Sequence, residues 1–414
     1  MKTLCVIGLG YIGLPTAAMF AAAGIKVTGY ELKAEICDTI NKGLVHITED
    51  GLGEMVANAV EKGLLSASTA IYAANSYIVS VPTPITADKK ADLSYVVSAG
   101  REIAKVLKKG DLVILESTVP PRCTSDVFIP VLEESGLKAG SDFLVAHCPE
   151  RVLPGNILHE LQFNNRIIGG ITPESAEAAR DLYLSFVKGD IYLTDTETAE
   201  MCKLMENTFR DVNIALANEL AILCESLGMN AWEVISLANK HPRVNLHSPG
   251  PGVGGHCIAV DPWFVVEKNP ELSPLISLGR RINDSMPSHV LGHIERLLPD
   301  GGKLVILGCT YKPDVGDIRE SPIIKLKELL TQKSSIETVI CDPFVEGYKT
   351  EPREAVRGAS LLVLGVNHSV YKELDLKTIA GNMKIPVLLD TRNFFDKSTA
   401  ECAGFKYHLL GCGI

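Results

Sequence analysis

The 414-residue chain lacks a long apolar run, closely paired cysteines and an excess of basic side chains. Without about 20 consecutive apolar residues it is predicted to have no transmembrane helix, and an N-terminus that leads directly into a strand predicts no signal peptide. A net charge of −10 at pH 7 argues against a nucleic-acid partner. Eleven cysteines without a C-x-x-C pair predict no metal site and are typical of a reducing cytoplasm. We therefore expect a cytoplasmic protein that binds small molecules, and neither membranes nor nucleic acids.

The first 31 residues follow the order strand, glycine turn, helix, strand and acidic residue. This order is typical of dinucleotide-binding sheets, in which the first glycine makes the turn, the second admits the pyrophosphate and the third packs helix against strand. The residues of the predicted turn are Gly8, Gly10, Tyr11, Ile12 and Gly13. Glu31, at the end of the second strand, would bind the ribose hydroxyls and repel a 2′-phosphate. NAD is therefore the predicted cofactor, and Lys33 is the one feature that keeps NADP open.

Alternating apolar runs and helical patterns predict an α/β protein with three parts. Residues 1–190 are expected to form an NAD-binding Rossmann domain, residues 191–300 a central helical domain, and residues 301–414 a smaller Rossmann-like domain without the glycine fingerprint. The predicted fold is thus two doubly wound sheets joined by a long central helix and a helical dimerisation domain. Polar turns at Pro82, Thr83 and Thr118 follow predicted strands, where parallel sheets bind ligands, although ordinary turn chemistry explains them equally well.

A long helix is predicted from a capping box at residues 194–197 to a stop at Gly228. Lys203, Asn207 and Asp211 recur on it at four-residue spacing, so they lie on one face. Because the rest of the helix is apolar, this face is interpreted as lining a site, with a solvated stripe as the alternative. So long an apolar helix also favours a second subunit, and a symmetric dimer is the commonest arrangement.

The segment PGPGVGGHCIAVDPWF, residues 249–264, places one cysteine on a tight glycine-rich loop. Its glycines permit backbone torsions and a close ligand approach that other residues exclude, while Asp261 followed by Pro262 predicts the start of a helix. A thiol near a helix N-terminus has a lowered pKa and can attack a carbonyl. Cys257 is therefore interpreted as a nucleophile, against the general expectation that a cysteine is a small buried hydrophobe.

Three basic residues of the last part stand at strand ends or in the adjoining loops. They are Lys312, Arg319 and Arg392. Their positions suit the phosphates of a nucleotide, and a surface salt bridge is the alternative for each.

Six long motifs are distributed over the whole chain. They are GLGYIGLPTAA, ESTVPP, CPERVLPG, TAEMCKLMENTFRDVNIALANE, HPRVNLHSPGPGVGGHCIAVDPWF and YKPDVGDIRESP. Together they resemble the UDP-glucose/GDP-mannose dehydrogenase family. The resemblance implies an enzyme that oxidises the C6 alcohol of a nucleotide sugar to a carboxylate with two NAD. It also implies that Cys257 forms a thiohemiacetal with the aldehyde and then a thioester, which water hydrolyses.

The same resemblance assigns roles to residues of these motifs. Lys203 and Asn207 would stabilise the oxyanion, and Asp261 would act as a base through water, with a helix cap as its alternative role. Glu150 matches an acid that assists thioester hydrolysis, with a loop pairing to Arg151 as the alternative, and Thr118 lies in the motif that places a water. The expected substrate-binding residues are Glu150, Arg151, Val152, Lys203, Asn207, Arg243, His247, Gly254, Lys312, Arg319 and Arg392. Arg243 matches an arginine that reaches the substrate of the partner subunit in a homodimer.

Two positions narrow the expected sugar. The UDP-glucose branch usually has serine before the cysteine and lysine before the aspartate, where this chain has His256 and Val260. The acetamido-sugar branch matches better, which implies UDP-N-acetyl-D-mannosamine as the substrate, with UDP-N-acetylglucosamine or UDP-glucose as alternatives.

Two rival classes of protein share parts of this pattern. A β-hydroxyacid dehydrogenase performs a single oxidation, and Cys257 and the third part of the chain argue against it. A non-catalytic NAD-binding protein is the second rival, and the joint presence of the thiol, the lysine, the carboxylates and the glycine turn argues against that class.

Overall fold

The computed structural model describes residues 3–152 and 155–413. Leu153 and Pro154, part of the CPERVLPG motif, lie outside the described residues. The chain forms two compact units: unit 1 is Met1–Glu206 with Trp263–Asn269, and unit 2 is Asn207–Pro262 with Pro270–Ile414. Each unit contains one sheet, and the predicted α/β fold with two Rossmann-like sheets and a long central helix is confirmed.

Unit 1 is built on an eight-stranded sheet. Its strands are β1 (Thr3–Ile7), β2 (Lys26–Tyr30), β3 (Leu65–Ser68), β4 (Ser76–Val79), β5 (Leu112–Leu115), β6 (Leu144–His147), β7 (Arg166–Gly170) and β8 (Ile191–Asp195). Their order is β3-β2-β1-β4-β5-β6-β7-β8, and neighbours are parallel except for the antiparallel pair β6–β7. The chain changes direction across the sheet between β1 and β4, so a ligand is expected at the carboxyl ends of these strands.

Helices cover both faces of this sheet. They are α1 (Gly13–Ala22), α2 (Ala34–Asn41), α3 (Leu52–Glu61), α4 (Ser94–Ala104), α5 (Ile129–Leu132), α6 (Ile157–Phe163) and α7 (Pro173–Tyr183), with a π-helical turn at Thr124–Phe128 and a 3₁₀ turn at Glu133–Ser135. Successive side chains of a strand point to opposite faces. Val6 of β1 accordingly belongs to one apolar core and Ile7 to another.

Unit 2 contains a five-stranded parallel sheet in the order β10-β9-β11-β12-β13. Its strands are β9 (Gly302–Leu307), β10 (Ile336–Cys341), β11 (Leu361–Leu364), β12 (Val387–Asp390) and β13 (Lys406–Leu409). Its helices are α9 (Ala231–Ala238), α11 (Pro274–Leu297), α12 (Pro322–Thr331), α13 (Pro352–Ala355), α14 (Leu376–Asn382) and α15 (Lys397–Cys402), with 3₁₀ turns at Pro270–Leu272 and Ser369–Glu373. Two apolar cores, one on each face of this sheet, include Leu304 and Val305 respectively.

Of the three points that divide the chain into units, two fall inside the helices α8 (Thr196–Leu227) and α10 (Asp261–Val266), and the third lies between Asn269 and Pro270. The length of α8 agrees with the predicted helix, but the predicted capping box is wrong. Thr194 belongs to β8, and the carboxylate of Asp195 instead accepts a hydrogen bond of 2.7 Å from the Thr198 N–H. An aspartate directly before the first helical residue satisfies an otherwise unpaired backbone donor.

Four elements had no clear signal in the sequence. The strands β3, β8 and β13 are short, and polar or exposed residues interrupt their apolar pattern. The long helix α11 contains Pro287 and two glycines, which are ordinarily helix breakers. All four depend on packing against the rest of their unit more than on local propensity.

Candidate active site

In the glycine turn between β1 and α1, the first and last glycines have no room for a side chain, whereas the middle glycine faces open space. A Cβ atom added to Gly13 would lie 1.8 Å from the carbonyl oxygen of Gly8, and one added to Gly8 would lie 2.6 Å from the carbonyl oxygen of Ser80. No atom lies within 4 Å of the corresponding point at Gly10. Tyr11 is exposed and Ile12 directly precedes the helix. The turn therefore presents open backbone at the N-terminus of α1, where a pyrophosphate binds.

Glu31 lies at the carboxyl end of β2, beside this turn. Its Oε2 accepts a hydrogen bond of 3.2 Å from the Leu9 N–H and its Oε1 one of 3.2 Å from the Lys33 N–H. Two backbone donors therefore fix the orientation of the carboxylate. The side chain of Glu31 and the open backbone at Gly10 together fit a dinucleotide whose ribose carries free hydroxyls.

The turns after β4 and β5 are joined by side-chain hydrogen bonds. The hydroxyl of Thr83 donates to the carbonyl oxygen of Thr118 at 2.7 Å. The hydroxyl of Ser117 donates to the carbonyl oxygen of Val81 at 2.8 Å. Pro82, between them, is exposed. The two turns that were predicted to bind a ligand are thus joined to each other at one edge of the sheet. Ser117 takes part in this connection, although no pattern in the sequence indicated it as a site residue.

Glu150 is held by a buried arginine rather than by the predicted pairing of side chains with Arg151. Its Oε2 lies 2.9 Å from Nη1 of Arg166, and its Oε1 accepts a hydrogen bond of 2.7 Å from the backbone N–H of Arg151. The guanidinium of Arg151 instead pairs with Glu206 at 2.7 Å and donates to the carbonyl of Asn165. Val152, next in the chain, is half-buried.

A second carboxylate, Glu116, shares this buried environment. Burial first, and then the charge of Glu150, raise the pKa of Glu116 to about 7, whereas Arg166 acts in the opposite direction. The hydroxyl of Tyr183 donates to Glu116 at 2.9 Å, and Arg166 stacks on the Tyr183 ring at 4.6 Å. The sequence contains a signal for this cluster, because each of two apolar strand segments, LVILE and RIIGG, carries one charged residue. Their pairing was not among the sequence-based predictions.

In unit 2, the loop at residues 249–257 follows a course that only glycines permit. A Cβ atom at Gly254 would lie 2.6 Å from the carbonyl oxygen of Glu320, and Gly255 has a φ of +85° with the Tyr311 ring 2.9 Å from its Cβ position. The N–H of Gly255 donates to the carbonyl of Arg319 at 3.1 Å. The loop is thereby fixed against residues 311–320, and Cys257 at its end is exposed.

Asn207 and Asp261 meet beside this loop. The amide Nδ2 of Asn207 donates to Oδ2 of Asp261 at 2.6 Å, and both residues are buried. The backbone N–H of Asp261, at the start of α10, donates to the carbonyl of Cys257 at 2.8 Å. These bonds connect Asn207, Asp261 and Cys257 within one unit. Lys203 lies one turn before Asn207 on α8 and is half-buried.

The third residue of the predicted polar face, Asp211, does not line the site. Its carboxylate is fully buried, pairs with the buried Arg280 and accepts a hydrogen bond of 2.8 Å from Asn283. Removing one partner of such a buried pair costs about 3–5 kcal/mol. Asn218 on the same helix is also buried, and its Nδ2 donates to Asn283 at 2.9 Å. The interpretation of Asp211 as a site residue is therefore wrong, because its partners lie on α11.

The remaining predicted substrate residues of unit 2 fall into two groups. Arg243 is exposed in the segment after α9, whereas Nε2 of His247 is buried without a hydrogen-bond partner among the described residues. Lys312 is exposed, and Arg319 pairs with Asp317 at 2.6 Å. Arg392 lies against the loop at residues 249–257: a Cβ atom at Gly250 would be 2.6 Å from its Nη1. Burial lowers the pKa of Arg392 to about 10, which leaves it charged at neutral pH.

Three family models match successive parts of the chain. The NAD-binding domain of the UDP-glucose/GDP-mannose dehydrogenase family matches residues 2–187, the central domain residues 197–285 and the UDP-binding domain residues 305–397. The chain belongs to the UDP-glucose/GDP-mannose dehydrogenase family. As a member of this family it is an NAD-dependent dehydrogenase that binds a UDP-sugar. None of the described helices combines the length and the apolar content needed to cross a bilayer.

Members of the family that act on acetamido sugars are similar to this chain over their full length. It is 46% identical over 422 residues to the UDP-N-acetyl-D-mannosamine dehydrogenase of Methanocaldococcus jannaschii, covering 100% of this chain and 97% of the relative. It is 44% identical over 415 residues to the NDP-N-acetyl-D-galactosaminuronic acid dehydrogenase of Ralstonia nicotianae, covering 95% and 96%. The solved structure of the UDP-N-acetyl-mannosamine dehydrogenase from Staphylococcus aureus has a TM-score of 0.91 and 45% identity over 99% of this chain and 99% of that one. Because the first two identities are nearly equal, overall similarity does not separate the sugars.

The position of Glu31 predicts how this family member distinguishes its cofactors. Glu31→Gln keeps the side-chain shape but removes the charge that would repel a 2′-phosphate, so the ratio of kcat/KM for NAD to that for NADP should fall about tenfold or more. Initial rates with each cofactor over a range of concentrations measure this ratio.

The matched control is Glu35→Gln, which removes the same charge from an exposed position in the first turn of α2. It should leave the ratio unchanged. An unchanged ratio in Glu31→Gln, or equal rates with NAD and NADP in the wild type, would contradict the role assigned to Glu31.

Proposed function

We propose that this chain catalyses the NAD-dependent, four-electron oxidation of the C6 alcohol of UDP-N-acetyl-D-mannosamine to the corresponding uronate. The observation that carries the four-electron assignment is the exposed Cys257 at the end of its glycine loop. Oxidation of an alcohol to an aldehyde needs no thiol, whereas a thiol that adds to the aldehyde permits a second hydride transfer. The choice of an acetamido sugar is supported by the motifs that contain His256 and Val260, and relatives named for the mannosamine sugar are 46% and 45% identical over nearly the full chain.

The chemistry at the sugar is proposed to use Cys257, Asp261 and two residues of α8. NAD supplies the hydride acceptor for both oxidations. Cys257 adds to the aldehyde, and the amide of Asn207, which carries two N–H donors, stabilises the oxyanion with one while the other holds Asp261. Lys203, one turn earlier on α8, contributes positive charge to the same oxyanion. Asp261, fixed by Asn207, is the base that acts through water.

Two residues of unit 1 are proposed to serve the hydrolysis of the thioester. Thr118 belongs to the edge of the sheet that the Thr83 hydrogen bond holds together, and it would place the water. Glu150 is the acid that assists hydrolysis, and its ion pair with Arg166 fixes its orientation. The buried ion pair also means that Glu150 acts from a defined rotamer rather than from a mobile loop.

The uridine diphosphate is proposed to bind in unit 2, beside the loop at residues 249–257, which we call the catalytic loop. Arg392 keeps its charge at neutral pH and lies next to Gly250, and Arg319 is anchored by Asp317 and contacts the loop through its carbonyl. Lys312 adds a third positive charge in the segment that follows β9. His247 offers a buried ring nitrogen without a partner among the described residues, which suits a hydrogen bond to ligand.

We further propose that the reaction takes place in the cytoplasm. No two of the eleven cysteines are joined by a disulfide, as is usual in a reducing compartment. The exposed thiol of Cys257 depends on such a compartment, because only the reduced sulfur is nucleophilic.

A panel of nucleotide sugars tests the choice of substrate. With UDP-N-acetyl-D-mannosamine, UDP-N-acetylglucosamine, UDP-N-acetylgalactosamine, UDP-glucose and GDP-mannose, the first should give the highest kcat/KM and two NADH per sugar consumed. One acetamido methyl contributes only about 1–3 kcal/mol of discrimination, so we expect a preference over UDP-glucose of about 10- to 200-fold. A higher kcat/KM with another sugar would show that this other sugar is the substrate. A yield of one NADH per sugar would overturn the four-electron assignment.

Replacing the nucleophile tests the covalent route. Cys257→Ser should reduce formation of the uronate by at least about a thousandfold, because a serine hydroxyl is hardly ionised at neutral pH and adds poorly to the aldehyde. Product analysis by mass spectrometry, together with NADH yield, measures this. Cys402→Ser is the control, since Cys402 is also exposed but lies on α15. Wild-type acid production by the Cys257 variant would exclude the thioester.

The exposed apolar side of α8 supports the proposal that the enzyme is a homodimer. Four large side chains at spacings of seven, seven and four residues form this stripe, with exposed fractions of 62% for Phe209, 50% for Leu216, 51% for Leu223 and 68% for Leu227. Such a stripe is a helix–helix contact surface. A second copy of α8 would remove these side chains from water, and Arg243 would then reach the substrate of the partner subunit.

Subunit complementation tests the dimer and Arg243 together. Arg243→Ala and Cys257→Ser chains should each be inactive alone, but random mixing gives one intact site in each heterodimer, so about a quarter of all sites should regain activity. Light scattering of the wild type checks the dimer, and mixed tags on the two variants check that subunits exchange. Exchange without recovery of activity would place Arg243 in the site of its own subunit or outside catalysis.

A further inference from the structure

A cluster of one glutamate and two histidines lies in unit 2, in a part of the chain with no role in the proposed reaction. Oε2 of Glu225 on α8 lies 2.8 Å from Nε2 of His289 and 3.0 Å from Nε2 of His293, both on α11. All three ligand atoms lie within 4.8 Å of one another. The cluster therefore collects one carboxylate and two imidazoles around a single point.

The helices explain why these side chains converge. His289 and His293 are four residues apart on α11, so both rings project from one face of the helix, one turn apart. Glu225 stands on α8, and its Oε1 accepts a hydrogen bond of 2.7 Å from the backbone N–H of Gly411. That bond fixes the carboxylate from behind, as outer partners do for metal ligands.

The donor set and its exposure suit a divalent transition-metal ion. Two imidazole nitrogens and one carboxylate oxygen are ligands that zinc prefers, whereas calcium and magnesium favour oxygen alone. The side chains of Glu225, His289 and His293 are between 12% and 22% exposed, so an ion can reach them. Tetrahedral ligands of zinc lie about 3.3 Å apart, so the two glutamate–histidine pairs, at 2.8 and 3.0 Å, would have to separate by only a few tenths of an ångström.

We propose that Glu225, His289 and His293 bind a zinc-type divalent ion that stabilises unit 2 and takes no part in the oxidation of the sugar. The ion would join α8, α11 and the turn at Gly411, three segments that are distant in sequence. Along α11 the two histidines lie about 9 and 15 Å beyond Asn283, whose carbonyl borders the catalytic loop at Gly252. The ion would therefore lie outside the place where Cys257 reacts.

Zinc titration of the full chain tests the site. After treatment with a chelator and dialysis, isothermal calorimetry should show one ion bound per chain, and the melting temperature should rise with zinc. His289→Gln keeps an N–H donor toward Glu225 but loses the ring nitrogen, so it should fold normally and bind zinc at least about 100-fold more weakly. His293→Gln should behave in the same way, and His159→Gln, at an exposed position of α6, should match the wild type.

Because the exposed thiol of Cys257 also binds zinc, the titration is repeated in Cys257→Ser chains. The proposal predicts the same stoichiometry and affinity there, and the same loss when His289→Gln is added. The absence of saturable binding at micromolar zinc would overturn it. Binding that survives both histidine substitutions, or that disappears with Cys257→Ser alone, would overturn it as well. Circular dichroism of each variant without zinc separates loss of a ligand from loss of the fold.

Discussion

The close packing around the glycines of residues 249–257 fixes the position of Cys257 in unit 2. Around Gly250, Gly254 and Gly255, the guanidinium of Arg392, the carbonyl of Glu320 and the ring of Tyr311 occupy space that a Cβ atom would need. Any larger residue would push the loop away from these groups, and Cys257 would move with it. A displacement of about 1 Å at a reacting atom is enough to cost about a hundredfold in rate. Cys257, the cationic Arg392 and the segment with Arg319 thus share one packing constraint.

Buried carboxylates have different consequences in the two units, depending on how their charge is balanced. In unit 1, burial first, and then the charge of Glu150, raise the pKa of Glu116 to about 7, because Arg166 is the one cation that both carboxylates share. In unit 2, Asp211 has its own arginine and an amide, which makes it a structural contact between α8 and α11. The first arrangement can take up a proton near neutral pH, and the second holds helices together.

The sequence predicted the features that depend on local chemistry. The strands β1 and β2, the glycine turn, Glu31 and the loop with Cys257 follow from residue type and spacing within one continuous stretch of the chain each. The partners of Glu150 and Asp211 could not be predicted in this way, because Arg166 lies on β7 and Arg280 on α11, and these contacts depend on how separate elements pack. The cluster of Glu225 with His289 and His293 could not be predicted for the same reason. The expectation of no metal site was based on ligands that are close in sequence, whereas Glu225 is far from the two histidines in the chain. The edge strands β3, β8 and β13 were missed because exposed residues break their apolar pattern.

The length of α8 restricts how its sequence can change over evolution. Each residue of an α-helix is turned by about 100° from the one before it. One inserted or deleted residue between Asn207 and Asn218 would therefore rotate the following part of α8 by that angle, separating Asn218 from Asn283 and Glu225 from the two histidines. The apolar stripe would rotate by the same angle. Substitutions can accumulate singly along this helix, whereas a change in its length would have to be compensated in all of these contacts at once.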